Sequence, residues 1–306
     1  MKYINDIREL IGNTPLLKIN NFNIKEGVNI FAKLENLNPG GSVKDRIGIK
    51  MIKQAEEDGI MIKGTTIIEA TAGNTGLGVA LAAINKGYRV IFVVPEKFSI
   101  EKQILMKALG AEIINTPREL GMKGAIAKQQ QLVKEIKGSI SLKQFENPAN
   151  PKIHYEATGP EIYEALDGEI DYFISGAGSG GTFSGIAKYF KEKNSSIKNI
   201  IADPIGSTMF GGIEGCYDIE GIGNNFIPGT LDTTLIDDYI KVNDKEAYDM
   251  VNKLARLEGL IVGSSSGAAM VAALKLSEKI SSGNIVTIFP DRGDRYFSKN
   301  IYNYVN

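Results

Sequence analysis

Short apolar runs alternate with longer amphipathic stretches along most of the chain. Residues 29–34, 65–69, 89–94, 111–114, 139–142, 171–175, 200–203, 239–242 and 285–289 read as strands. Several are β-branched and apolar on both faces, as parallel strands covered by helices on each side are. Residues 43–57 place Val43, Ile47, Met51, Ile52 and Ala55 on one helical stripe that stops at Gly59. A second helix, 99–109, stops at Gly110, and Asn243 with Glu246 gives capping-box spacing ahead of a third that runs to about residue 257. This alternation predicts a doubly wound α/β fold. Two lobes are expected, a smaller one over 43–146 and a larger one from 1–42 plus 147–306. The polar, proline-punctuated stretch 144–151 hands the chain between them. Residues 206–235 are glycine-rich and aperiodic, and irregular segments of that length are usually functional.

Composition narrows the function classes. Basic and acidic residues nearly cancel, 35 against 36 in 306, and no basic stripe points to nucleic acid or an anionic membrane. No apolar run reaches membrane-spanning length and the first residues lack a signal-peptide core. The lone cysteine, Cys216, fits a reducing, cytoplasmic setting. With one histidine, His154, and one cysteine, no zinc site is expected. A histidine-dependent triad would need His154, and no nucleophile elbow accompanies it.

Three glycine-rich turns carry the candidate chemistry. In Pro39-Gly40-Gly41-Ser42-Val43-Lys44-Asp45-Arg46, Ser42 and Asp45 stand in capping-box spacing, so Ser42 is the expected N-cap and Lys44 falls in the first turn. Positive charge at a helix N-terminus disfavours the ammonium form, and burial would add to this, opening Schiff-base chemistry near neutral pH. A solvated helix-start lysine is the alternative reading. Thr71-Ala72-Gly73-Asn74-Thr75-Gly76 follows a strand and opens an apolar helix, a ready seat for a carboxylate, or simply a tight turn. Gly176-Ala177-Gly178-Ser179-Gly180-Gly181-Thr182 has the strand, loop and helix order that cradles a phosphate. It lacks the Gly-Lys-Ser/Thr ending of an ATP-type loop, whereas its glycine density leaves a dinucleotide reading open with Asp203 as the acidic partner. Val262-Gly263-Ser264-Ser265-Ser266-Gly267 enters another helix, where a serine hydroxyl can face a ring nitrogen or merely cap.

One lysine, one carboxylate seat, one phosphate seat and one neutral hydroxyl answer the needs of pyridoxal phosphate. The chain resembles the fold-type II pyridoxal-phosphate enzymes of the cysteine synthase and cystathionine β-synthase group, which are similar to the tryptophan synthase β fold. The resemblance runs from Ile11-Gly12-Asn13-Thr14-Pro15-Leu16 through the Lys44 motif to Phe289-Pro290-Asp291. It implies two α/β lobes with the cofactor in the cleft between them. Lys44 then matches the cofactor-linking lysine that also moves the α-proton, and Asn74 the asparagine on the ring hydroxyl. Gly178, Ser179, Gly180, Gly181 and Thr182 match the phosphate loop, with Ser179 where threonine is common, and Ser265 the serine facing the ring nitrogen. Thr71, Ala72, Gly73, Asn74, Thr75 and Gln144 match the substrate-carboxylate site, and Gly221-Ile222-Gly223 a loop bordering the substrate. Asp232 is the candidate for choosing the nucleophile, with a solvated loop carboxylate as its alternative.

The resemblance implies β-replacement or β-elimination on a small β-substituted amino acid through an α-aminoacrylate. Cysteine, O-acetylserine and serine are the candidate donors, and a thiol, sulfide or water the nucleophile. Ala72, where cysteine synthases often carry serine, and Asp203-Pro204-Ile205-Gly206-Ser207 tilt the reading toward the cystathionine-synthase side. Members of that branch can release hydrogen sulfide from cysteine and form lanthionine or cystathionine. Arg292 stands where a small residue is usual. A homodimer is the expected assembly. A serine/threonine dehydratase, a nicotinamide-dependent oxidoreductase and a non-catalytic binding protein are the alternatives, and Val43-Lys44-Asp45-Arg46 weighs against the first.

Overall fold

The computed structural model describes residues 3–302 except 72 and 97. The chain forms two compact units. One holds Met1–Ile11 and Asn38–Ala149, the other Gly12–Leu37 and Asn150–Asn306.

In the first unit a four-stranded parallel sheet is built from β3 (Thr66–Ala70), β4 (Arg89–Pro95), β5 (Glu112–Thr116) and β6 (Ser139–Ile140), in the order β5-β4-β3-β6. β3 is buried at every position and β4 at all but Arg89, matching the two-sided apolar runs in the sequence. The unit's helices are α1 (Lys44–Glu57), α2 (Asn74–Ala83), α3 (Ile100–Ala108) and α4 (Gly121–Glu135). The stripe Val43, Ile47, Met51, Ile52 and Ala55 is buried as its spacing predicts. α2 is buried around its whole circumference after Asn74, and its pattern is accordingly apolar throughout rather than striped. The sequence reading had no helix at 121–135. Its run of Lys and Gln residues leaves an apolar stripe at Ala125 and Leu132 too thin to stand out.

The second unit carries a six-stranded sheet. Its strands are β1 (Leu16–Lys18), β2 (Val28–Leu34), β7 (Tyr172–Gly176), β8 (Lys198–Pro204), β9 (Asp238–Val242) and β10 (Gly283–Phe289), ordered β1-β2-β10-β7-β8-β9. Only β1 runs antiparallel, paired to β2. A three-residue edge strand has too few positions to show a period, and the sequence reading missed it. α7 (Gly181–Lys193), α8 (Asp244–Glu258) and α9 (Ser264–Ser277) cover this sheet. The capping box expected at Asn243 and Glu246 is present, each side chain accepting from the other's backbone N–H at 2.9 Å. Ahead of α7, α5 (Ala149–Ile153) and α6 (Gly159–Ala165) are joined by a π-helical turn, His154–Thr158. Residues 206–235 contain no strand and only one short 3₁₀ turn, Thr233–Leu235.

Candidate active site

Lys44 is the first residue of α1 and is partly buried. The capping expectation needs correction at this point. The N-cap is Val43, which has helical φ and ψ and makes no side-chain cap, and Ser42 Oγ instead accepts from the Lys44 N–H at 3.2 Å. Asp45 does not reach back in box geometry; its carboxylate lies under Gly40, where an added Cβ would sit 2.6 Å from Oδ1. A buried acid under a glycine turn has the same spacing in sequence as a capping pair.

What fixes Lys44 is a crossing of backbones. A Cβ at Gly78 of α2 would lie 2.2 Å from the Lys44 carbonyl oxygen, and one at Gly48 of α1 would lie 2.3 Å from the Gly78 carbonyl. Two helices in this contact have no freedom to slide, so the start of α1 is held against the helix that the 71–76 loop opens.

That loop follows β3. Thr71 Oγ1 accepts from the Gly73 N–H at 3.3 Å, and Asn74 is the first residue of α2. Thr75 Oγ1 donates to Gln144 Oε1 at 2.6 Å, which turns the Gln144 amide NH₂ away from Thr75 as a donor pair. Thr71, Gly73, Asn74, Thr75 and Gln144 thus come together around the N-terminus of α2, where helix N–H groups lack internal partners and favour an anion. Ala72 lies outside the described residues.

Two residues at this seat escaped the sequence reading. Lys102 of α3 is 3 % exposed, and its Nζ lies 3.3 Å from where a Gly73 Cβ would be. Glu69 of β3, 4 % exposed, accepts on Oε1 from Ser141 Oγ at 2.9 Å, from the Lys143 N–H at 3.0 Å and from the Leu142 N–H. It thereby fixes the turn that delivers Gln144. Burial pushes its carboxyl up to about 7, against the pull of those hydrogen bonds. Neither has a local signal: Glu69 and its partners are more than seventy residues apart, and Lys102 meets Gly73 only through the fold.

In the second unit, the 176–182 loop links β7 to α7. Gly178 and Gly181 pack without room for a side chain, against the Gly221 carbonyl and Asn150 Oδ1, each 2.2 Å from an added Cβ. Gly180 has φ of +85°, and its Cβ would meet Leu231 at 2.5 Å. The Ser179 hydroxyl accepts from Asn150 Nδ2 at 3.0 Å, and Thr182 Oγ1 lies 3.1 Å from His154 Nε2. Hydroxyls and helix N–H groups, with no carboxylate among the loop residues, make a donor set that fits a phosphate.

The irregular segment is tied to this loop: Gly223 N–H donates to Ala177 O at 2.9 Å and Asn224 Nδ2 to Gly178 O at 2.6 Å. Asp232 is exposed, and its carboxylate caps the short 3₁₀ turn through the Thr234 N–H and hydroxyl at 3.0 and 2.6 Å. Ser265 lies buried in the first turn of α9. Ser264 Oγ beside it accepts from the Glu220 N–H at 3.1 Å, whereas the buried Ser266 Oγ has no hydrogen-bond partner among the described residues. Arg292 Nε donates to Asn36 O at 3.2 Å.

Comparison with known proteins gives this geometry its context. The pyridoxal-phosphate dependent enzyme family matches residues 7–291. An O-acetylserine dependent cystathionine β-synthase of Bacillus subtilis is 54 % identical over 99 % of both chains. A cysteine synthase of Helicobacter pylori is 48 % identical over 99 % of this chain and all of that one. Among solved structures, an O-acetylserine dependent cystathionine β-synthase from Helicobacter pylori matches with a TM-score of 0.95 at 48 % identity, covering 99 % of this chain and 100 % of that one. A hydrogen sulfide-producing enzyme from Fusobacterium nucleatum matches at 0.93 and 43 % identity, covering 96 % and 100 %. With its two α/β units, its glycine-turn lysine and its donor-lined loop, the chain belongs to the pyridoxal-phosphate dependent enzymes, in the cysteine synthase and cystathionine β-synthase group.

Proposed function

We propose that the enzyme's β-replacement chemistry uses O-acetylserine as the amino-acid substrate, which loses acetate from Cβ, and a thiol such as homocysteine as the nucleophile that bonds there, with cysteine as a second substrate that releases hydrogen sulfide. The name and 54 % identity of the Bacillus subtilis relative support the first substrate, and the sulfide-producing structural relative supports the second. The observation that carries the underlying lysine chemistry is the locked position of Lys44 beside the start of α2, through Gly48 and Gly78, and the choice of substrates rests on the relatives.

Bound pyridoxal phosphate supplies an electron sink for charge developing at the substrate Cα. The rest falls to the protein. Lys44 Nζ would be the attachment point for the cofactor and the base for the substrate Cα proton. Thr71, Gly73, Asn74 and Thr75, with Gln144, hold the substrate carboxylate and so set which Cα bond faces the lysine. Asn74 would hydrogen-bond the ring hydroxyl. Ser179 and Thr182, with the N–H groups of Gly178, Gly180 and Gly181 in the loop and at the start of α7, would hold the phosphate. Ser265 would offer a neutral hydroxyl to the ring nitrogen, which would favour release of the β-group over prolonged charge storage. Gly223 and the 206–235 segment border the incoming nucleophile, and the cap that engages Asp232 supports a role for that residue in shaping the segment.

The reading also includes a cytoplasmic homodimer. The single cysteine, exposed and unpaired as a disulfide, supports a reducing compartment. Among the described residues no helix is long and apolar enough to cross a membrane.

The test is product identification by mass with cysteine, O-acetylserine or serine, each with and without homocysteine or sulfide. Cystathionine from O-acetylserine plus homocysteine, and sulfide from cysteine, are expected. Keto-acid release from serine or threonine as the dominant reaction would favour a dehydratase and overturn the proposal.

A further inference from the structure

His154 is the chain's only histidine, 0 % exposed, and sits where the helical run between α5 and α6 widens into the π turn. Its Nδ1 lies 2.9 Å from Thr158 Oγ1 and its Nε2 lies 3.1 Å from Thr182 Oγ1. π turns interrupt regular helix at an energetic cost and recur at functional sites. The contact with α7 is also close. A Cβ on Gly185 would fall 2.2 Å from the Pro151 carbonyl and 2.7 Å from His154 Cβ, so the ring-to-loop spacing is set by backbone packing. One turn earlier, Asn150 Nδ2 donates to Ser179 Oγ at 3.0 Å. Both hydroxyls of the 178–182 loop are therefore gripped from behind by one helical run.

The direction of these bonds follows from donor and acceptor bookkeeping. An amide NH₂ can only donate, so Ser179 accepts from Asn150 and its own hydrogen is directed to another acceptor. A neutral imidazole has one donor nitrogen and one acceptor nitrogen, while a hydroxyl serves as either. A phosphate oxygen in the loop accepts. Once Thr182 O–H donates to it, the Thr182 oxygen is left to accept from the ring, which requires the proton on Nε2. Nδ1 must then accept from the Thr158 hydroxyl.

We propose that His154 is a positioning residue for the phosphate loop: an anion on Thr182 fixes the ring as the Nε2–H tautomer, and the Thr158–His154–Thr182 relay in turn orients the Thr182 hydroxyl toward that anion. This rests on the reading of 178–182 as the cofactor's phosphate seat.

Because there is a single histidine, ¹⁵N-histidine labelling gives one ring spectrum. Holoenzyme, and cofactor-free enzyme with inorganic phosphate, are expected to show a protonated Nε2 and an unprotonated Nδ1. The Nδ1–H tautomer, or a ring protonated on both nitrogens, would overturn the proposal. Affinity for pyridoxal phosphate, read by fluorescence titration, gives a second measurement. His154→Phe should weaken it about tenfold, the scale of one lost neutral hydrogen bond, and His154→Gln, whose amide can still donate to Thr182, should recover most of the loss. Equal affinity in wild type and His154→Phe would refute the positioning role. Thr182→Val separates the two failures. If it too leaves phosphate affinity unchanged, the loop reading itself is wrong; if it weakens binding while His154→Phe does not, only the relay falls.

Discussion

At Glu69, burial and hydrogen bonding act in opposite directions and burial wins, raising the carboxyl to about 7 from an ordinary 4.5. Between those two values the folded chain holds a proton that the unfolded chain has released, so the group's contribution to stability falls as pH rises and levels off above about 7. The slope is about 1.4 kcal/mol per pH unit at most within the window. Glu69→Gln should remove this component. Urea unfolding at about pH 5 and about pH 7 should show a smaller loss across the interval for the variant than for wild type, and equal losses would contradict the assignment. Lys44, Asn74 and Ser179 stand out in the sequence because glycine turns and helix starts mark them locally, and the structure places Lys44 and Asn74 first in their helices and Ser179 in the glycine loop. Glu69, Lys102, Asn150 and His154 do not stand out. Glu69, Asn150 and His154 hydrogen-bond to partners brought near by the fold and Lys102 packs against Gly73 in the same way, so nothing in their own sequence neighbourhoods marks them out from other buried polar residues.

Among elements, the crossing of α1 and α2 sets Lys44 more firmly than any cap. Helix propensity alone says that Gly78→Ala should stabilise by about 1 kcal/mol. The contact says the reverse, because the new methyl would meet the Lys44 carbonyl at 2.2 Å, and backbone cannot turn aside as a flexible side chain can. Overpacking of this kind costs about 1–3 kcal/mol. Denaturant unfolding of cofactor-free Gly78→Ala should therefore show net destabilisation, and the holoenzyme a lower fraction of cofactor bound to Lys44. A gain in stability would show that the helices separate freely. The long strands and the Asn243–Glu246 cap were readable because two-sided apolar runs and a reciprocal cap leave strong patterns. β1 and α4 were missed for want of length and of apolar contrast. The Ser42–Asp45 pair misled because its spacing fits two different geometries, and the structure uses the one in which Asp45 supports the Gly40 turn.

Over the whole molecule, the alternation of strands and helices announced α/β units, and the resemblance announced their family. The strand orders were beyond reach. β10, near the end of the chain, inserts between β2 and β7, pairings across more than a hundred residues that no local pattern encodes. In each sheet a glycine loop follows the C-terminal end of a parallel strand, after β3 in one and after β7 in the other, and opens a helix, where open α/β sheets bind ligands; the loop before α9 likewise opens a helix. The chemistry assigned to those loops depends on one amine. Borohydride reduction of the holoenzyme followed by peptide mass mapping tests it directly. A pyridoxyl-phosphate adduct is expected on the peptide carrying Lys44 and none in Lys44→Ala; an adduct on Lys102 or another lysine in the wild type, or undiminished trapping in the variant, would contradict the assignment of Lys44.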